Sequence, residues 1–442
     1  MKRFLWLGFV LFLELICVGC GDTFRPIIIP NPPTFPNPAA AHTVVSINDN
    51  GTVVNGSAMV IDVSGDTDVS IANVGLAPVH AVQQSASVIL VANRAVTGQQ
   101  ADSLTKLSFS GTTIAINPPS ITLPANSAPN FVATTESSQA YVLLSNLASV
   151  GVINTNTDVL VNTFPVGNNP VAMAETPNGQ KLYVANQADN TISAFNTLTG
   201  ALSSRTISGS FNAPIWVSAR SDSQRAYVLN GNGVVSTIDT SGTAGPDPVI
   251  DASVSAPGAA YMVYDGNLNR LYIPGGTQLT ILDVSQSIPQ VITGGPIAIP
   301  TAAPSLRTAS DPCALTRALP LTVAAVAALP DGSSVYVGAY YEDTSGNICP
   351  QVTAIDVPSS TVKTPSIAIP GFPAYDAFCS TTRFRITMAA GGDSSRAYLA
   401  SCDGGMVNII NTSTNTYILN QPEPIGTRAP NSENPVFLLA GP

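Results

Sequence analysis

The chain has 442 residues, too many for one ordinary compact core, so it is built either from two or three domains or from units added in series. Only 10% of its residues are charged, 17 basic against 27 acidic, a balance that repels phosphate backbones and argues against nucleic acid as a partner. Short apolar runs alternate with gaps rich in Gly, Pro, Ser, Thr and Asn, and helical periodicity is nearly absent after residue 20, so the expected class is all-β.

The first segment, MKRFLWLGFVLFLELICVGC, sets Lys2 and Arg3 before an apolar run and the small Gly19 before Cys20, the order of an export signal. Its end, Ile16-Cys17-Val18-Gly19-Cys20, resembles the lipobox of bacterial lipoproteins. That resemblance implies a signal over 1–19, acylation of Cys20 and a lipid bilayer as partner in a bacterial cell envelope. Glu14 inside the apolar run, and Cys17 where Leu is usual, leave an ordinary cleaved signal or a retained anchor open. Residues 20–42 carry prolines at 26, 30, 32, 33, 36 and 38 and no periodic pattern, so they read as a spacer. In polyproline II form, at about 3.1 Å per residue, it would reach up to roughly 60 Å. Without Lys2, Arg3 and Glu14 the chain keeps 15 basic against 26 acidic residues.

From residue 43 one apolar, aromatic-containing strand recurs: TVVSIN at 43, VILVAN at 88, AYVLLS at 140, LYVANQ at 182, AYVLNG at 226, LYIPGG at 271, VYVGAY at 335 and AYLASC at 397. Most copies follow another apolar run across a turn such as TPNGQ or PDGSS, and most precede a third strand such as TISAFN and a fourth such as VNTFPVG. Each unit is thus four antiparallel strands in about 42 to 45 residues, the period of a β-propeller blade. Blades pack face against face, so near-continuous apolar runs such as VAAVAAL replace clean alternation.

The stretch VGNNPVAMAETPNGQKLYVANQADNTISAFNTLTG resembles a whole unit of the YVTN family of β-propeller repeats, and partial matches extend the resemblance over residues 43–440. The family implies a propeller, usually seven-bladed, on exported or cell-surface proteins. Here the strand count predicts one domain, 43–442, of eight blades. Seven is the alternative if 79–126 or 260–304 is not an independent blade. Blade 1 begins with its second strand, whereas NPVFLLAGP ends the chain as an inner-type strand, so residues 435–440 are expected to complete blade 1 and close the ring.

Outside the signal, four cysteines stand at 313, 349, 379 and 402 with no Cys-x-x-Cys spacing, so a metal site is not expected. Cys313 and Cys379 precede the first strands of blades 7 and 8. Cys349 and Cys402 follow the second strands, on the same face. The expected disulfides are therefore Cys313–Cys349 and Cys379–Cys402. The same loops carry the longest insertions and bring Arg307, Arg317, Tyr341, Glu342, Asp343, Tyr375, Asp376 and Arg383 to one side of one face, suited to a polar ligand, a protein or a cell-envelope polymer.

Catalytic parts are few. The chain has two histidines, His42 beside the spacer and His80 on an inner strand, and no Gly-x-Ser-x-Gly, His-Glu-x-x-His or Walker-type loop. His80, Glu175 and Arg385 are the candidates near the central channel. YVTN repeats are distantly similar to lactonase propellers, which keeps hydrolysis at the channel as the alternative to a binding scaffold. No catalytic residue or cofactor is assigned, and a monomer is expected.

Overall fold

The computed structural model describes residues 43–441 except 52–53, 95–100, 117–119, 135–137, 198–204, 208, 210, 243–246, 315–319, 364–365, 375–378, 381 and 419–433. Eight antiparallel sheets form the blades of a β-propeller, and both 79–126 and 260–304 contribute blades of their own. The inner strands, in blade order 2 to 8, are Pro78–Ser85, Pro129–Thr134, Pro170–Glu175, Pro214–Ala219, Val263–Asp265, Thr322–Ala328 and Ile386–Ala390. Blade 1 takes its inner strand from the other end of the chain. Asn434–Ala440 pairs with Thr43–Asp49 in the register Val45 to Leu439 and Ile47 to Phe437, so the ring closes as the sequence predicts.

The repeated residues have identifiable duties. The second-strand tyrosines are buried and reach the next blade: the Tyr183 hydroxyl donates to Asp247 (2.8 Å), that of Tyr336 to Asn415 (2.5 Å), and that of Tyr398 to Asp66 across the closing seam (3.3 Å). Basic residues act in the same direction, Lys181 and Arg396 beside those tyrosines and Lys106 on the third strand of blade 2, through Lys106–Asp158, Lys181–Asp247 and Arg396–Asp66 ion pairs at 2.6 to 2.9 Å. The asparagine that ends the second strand ties it to the third. Asn93 donates to Thr105, Asn186 to Ser193 and Asn230 to Ser236, each at 3.0 Å. The glycine of Gly-x-x-Pro lies against that asparagine: a Cβ on Gly75 or Gly167 would meet Asn93 or Asn186 at 2.7 Å.

Turn carboxylates are committed to backbone. Asp222, Asp331 and Asp393 accept from the N–H two residues on at 2.8 to 3.0 Å between first and second strands, and Asp239 and Asp283 do the same after the third. These Asx turns explain the Asp and Asn content of the hairpins without a bound ion.

Because the closing strand is buried on both faces, Phe437→Ala should destabilise the fold by about 3 to 5 kcal/mol, whereas Val69→Ala on the exposed outer strand of blade 1 should stay within about 0.5 kcal/mol. Denaturant unfolding of the two variants checks this, and equal midpoints would contradict the assigned closure.

Candidate functional site at the axial funnel

Five inner strands carry Pro-x-Φ at or one residue after their start, where Φ is usually a ring: Pro78-Val79-His80, Pro129-Asn130-Phe131, Pro170-Val171-Ala172, Pro214-Ile215-Trp216 and Pro435-Val436-Phe437. In each, the first and third residues face consecutive residues of the second strand, so the middle residue is a β-bulge. The bulge frees that residue from the ladder and turns it to the axis. In four of the five blades the residue before the proline has a left-handed φ, from 42° at Ala77 to 50° at Asn169, a strained setting for a side chain with a Cβ.

Four of these third residues, with Tyr261 of blade 6 and Phe384 of blade 8, close the axis. His80, Phe131, Trp216, Tyr261, Phe384 and Phe437 form a circuit of rings whose neighbouring centroids lie 3.9 to 6.1 Å apart, so the propeller has an aromatic floor in place of an open channel. Beneath it is a small apolar cavity of about 40 Å³. Above it opens a funnel of about 490 Å³, lined by the bulge residues Val79, Asn130, Val171, Ile215 and Val436, with Ala260 and Arg383 in the matching places of blades 6 and 8.

Arg383 lies on the floor. Its guanidinium carbon is 4.6 Å from the Trp216 ring centroid, 5.5 Å from that of Phe131 and 5.6 Å from that of Phe384. Its two terminal nitrogens donate to the bulge carbonyls of Val171 (2.6 Å) and Ile215 (3.0 Å), bracing blade 8 against blades 4 and 5 across the ring. Enclosure by protein, and then the nearby Arg94, push its pKa down to about 9, so it remains a cation at neutral pH. Although protein surrounds it, the side chain is exposed to the funnel, and solvent there supports the charged form further. No carboxylate among the described residues forms an ion pair with it.

Its position is set by the second disulfide. Cys379–Cys402 ties the loop to the second strand of blade 8, the Thr382 hydroxyl donates to the Cys379 carbonyl (2.9 Å), and Asn434 of the closing strand donates to the Cys402 carbonyl (2.7 Å). Cys313–Cys349 is also formed, so both expected pairings are present, and they suit an oxidising, extracytoplasmic compartment. Among the described residues no helix is long and apolar enough to cross a membrane.

The other candidates separate by location. Arg307 is buried and donates to the carbonyls of Ile369 and Pro350 and to Asp311, so it knits the insertion between blades 6 and 7 to the sheet. Asp343 caps the blade 7 hairpin by accepting from the Ser345 and Asn347 N–H groups, both at 2.8 Å. Its neighbour Tyr341 is 2% exposed and offers no surface to a ligand. Glu342 is exposed, 3.8 Å from Arg385. Arg385 lies over the Tyr340 ring of blade 7, held by a two-pronged pair with the buried Asp403 at 2.6 and 2.9 Å, which raises its pKa further. Arg317, Tyr375 and Asp376 lie outside the described residues.

His80 is a member of the floor, with its ring 3.9 Å from Phe131 and 4.7 Å from Phe437. Its Nδ1 accepts from the Val132 N–H at 3.4 Å, and burial, then Arg383, drives its pKa well below the usual histidine range. Glu175 is buried at the far end of its inner strand from the funnel. The three channel candidates therefore do not converge.

Two funnel residues carry no motif. Arg94, just after the second strand of blade 2, donates to the Pro129 carbonyl at 3.1 Å. It stands where LYVANQ has Gln187, another funnel residue, and that substitution within the repeat is the signal that could have revealed it. Asp49, at the matching end of blade 1, is 2% exposed, and burial pushes its pKa up to about 6 against one hydrogen bond from the Gly51 N–H.

No family model matches the chain, and no curated protein matches it. Among solved structures it resembles apo AztD from Citrobacter koseri, at 11% identity with a TM-score of 0.58 over 91% of this chain and 98% of that one. It also resembles the periplasmic gluconolactonase PpgL of Pseudomonas aeruginosa, at 13% identity with a TM-score of 0.51 over 74% and 95% of the two chains. A third is the dihydro-heme d1 dehydrogenase NirN, at 11% identity with a TM-score of 0.56 over 89% and 76%. At such identities the likeness establishes the propeller fold and nothing narrower.

A carboxyl that holds its proton more tightly when folded adds stability that is complete below its unfolded pKa and is lost as pH rises through the folded one. For Asp49 the window runs from about pH 4 to about 6, and the loss is on the order of 2 to 3 kcal/mol. Asp49→Asn, neutral throughout, should remove that part of the decline, as urea unfolding at pH 4, 5, 6 and 7 would register. Parallel profiles for the two proteins would contradict the buried carboxyl.

Proposed function

We propose that this chain is a YVTN-type, lipid-anchored propeller of the bacterial envelope, tethered through Cys20 and the proline-rich spacer, that works by binding. Its ligand enters the funnel on the face where the two disulfides hold the loops of blades 7 and 8. The single observation carrying this reading is Arg383: a cation fixed over an aromatic floor, paired to backbone dipoles in place of a carboxylate, and open to a cavity of ligand size. A protein or envelope polymer carrying such a ligand group would also touch the exposed loops at the rim, Glu342 among them.

Hydrolysis of a lactone is the second reading, suggested by the gluconolactonase among the similar folds. It needs a base beside the substrate, and His80 lies in the floor, stacked on Phe131 and poor at taking a proton. Glu175 is not at the funnel, and Arg385 is occupied by Asp403.

The test is a thermal-shift screen of the oxidised chain against sugars, organic acids, lactones and peptidoglycan fragments, alongside a pH-stat assay of lactone opening. A true ligand should raise stability by about 2.7 kcal/mol at a hundred times its dissociation constant. Lactones should open no faster than in buffer. Turnover above background that His80→Phe abolishes would overturn the binding reading.

A further inference from the structure

The chemistry of the funnel specifies more than its use. Resting on the reading that the funnel binds a ligand, we infer that the ligand is an amphipathic organic acid: a carboxylate held by Arg383 and Arg94, on an apolar body that covers the walls.

Charge is the first argument. This chain has 17 basic residues and a net charge of −10, yet it places two guanidinium groups at one funnel. The charged neighbour that most perturbs Arg383 is Arg94, a like charge. Two cations brought together cost free energy unless an anion joins them. Arg94 has a carboxylate in its surroundings, Asp102, whereas among the described residues Arg383 is compensated by carbonyl dipoles and ring faces alone. A guanidinium has five N–H donors, and the carbonyls of Val171 and Ile215 engage only its two terminal nitrogens, once each. The remaining donors have no acceptor among the described residues, and a carboxylate matches such a fork in geometry and charge. Asp49, the acid of the funnel lining, stays clear of this competition in mildly acidic solution, since burial keeps it protonated up to about pH 6.

The walls are the second argument. Of the six bulge-type positions around Arg383, only Asn130 is polar; Val79, Val171, Ile215, Ala260 and Val436 are apolar. A strongly hydrated inorganic anion would leave those faces uncovered. An alkyl or aryl body would bury them, at roughly 25 cal/mol for each Å² of apolar surface removed from water. The cavity, about 490 Å³, is of the size that takes a small organic molecule.

Isothermal titration of the purified, oxidised full chain with octanoate, 1-octanol, octylamine and inorganic phosphate separates these contributions. The expected result is saturable binding of octanoate, with the alcohol, the amine and phosphate at least tenfold weaker. Arg383→Gln should weaken octanoate at least tenfold. Should that variant fail to fold, Arg94→Gln, which removes one hydrogen bond to a carbonyl, should weaken octanoate about threefold or more. Octylamine or octanol binding as tightly as octanoate would overturn the acid and leave the funnel as a binding site. Phosphate binding as tightly as octanoate would overturn the apolar body. Octanoate binding unchanged in both variants would place its site elsewhere. If none of the four binds, the inference fails outright, and the ligand screen then decides whether the funnel binds anything.

Discussion

Closing eight blades into a ring forces their inner strands to converge on one axis, where backbone polar groups have no further strand to pair with. The chain meets that constraint with β-bulges at the start of the inner strands. Each bulge turns one side chain toward the axis; four of the five set a ring below it, and Tyr261 and Phe384 of blades 6 and 8 complete the floor. The carbonyls of Val171 and Ile215 then need a donor at the axis, and Arg383 reaches across from blade 8 to supply it. The same guanidinium braces the ring and charges its funnel.

The fold was legible because each recurring residue answers a need that returns from blade to blade. Tyrosine on the second strand reaches the next blade, asparagine at its end joins the third strand, and glycine before the inner strand makes room for that asparagine. The ring closure and the two disulfides could be read in the same way, since they follow from which strands are missing and which loops share a face.

The site was harder to read because it depends on how far side chains reach. Arg307 and Asp343 look like loop residues in sequence, yet backbone groups consume their side chains, and Tyr341 is buried. In sequence Arg383 reads as a residue of the loop-rich face, but nothing in the order of residues shows that it crosses the axis to Val171, 212 positions away. Aligning Thr382-Arg383-Phe384 with the Pro-x-Φ units would have placed it beside Ile215 and Val171, where an arginine among apolar residues stands out. The inner strand that carries His80 is readable from the repeat, but the burial of its ring between two phenylalanine rings depends on strands from blades 3 and 1.

The chain has two tryptophans, Trp6 in the first segment and the buried Trp216 beneath Arg383, so replacing both by Phe and Val79 on the funnel wall by Trp leaves one accessible reporter in the funnel. Quenching of that reporter by iodide and by caesium at equal ionic strength tests the electropositive funnel most directly. The account predicts that iodide quenches the more strongly despite the chain's net charge of −10, and that Arg383→Gln removes the preference. Equal quenching, or a preference for caesium in the presence of Arg383, would contradict it.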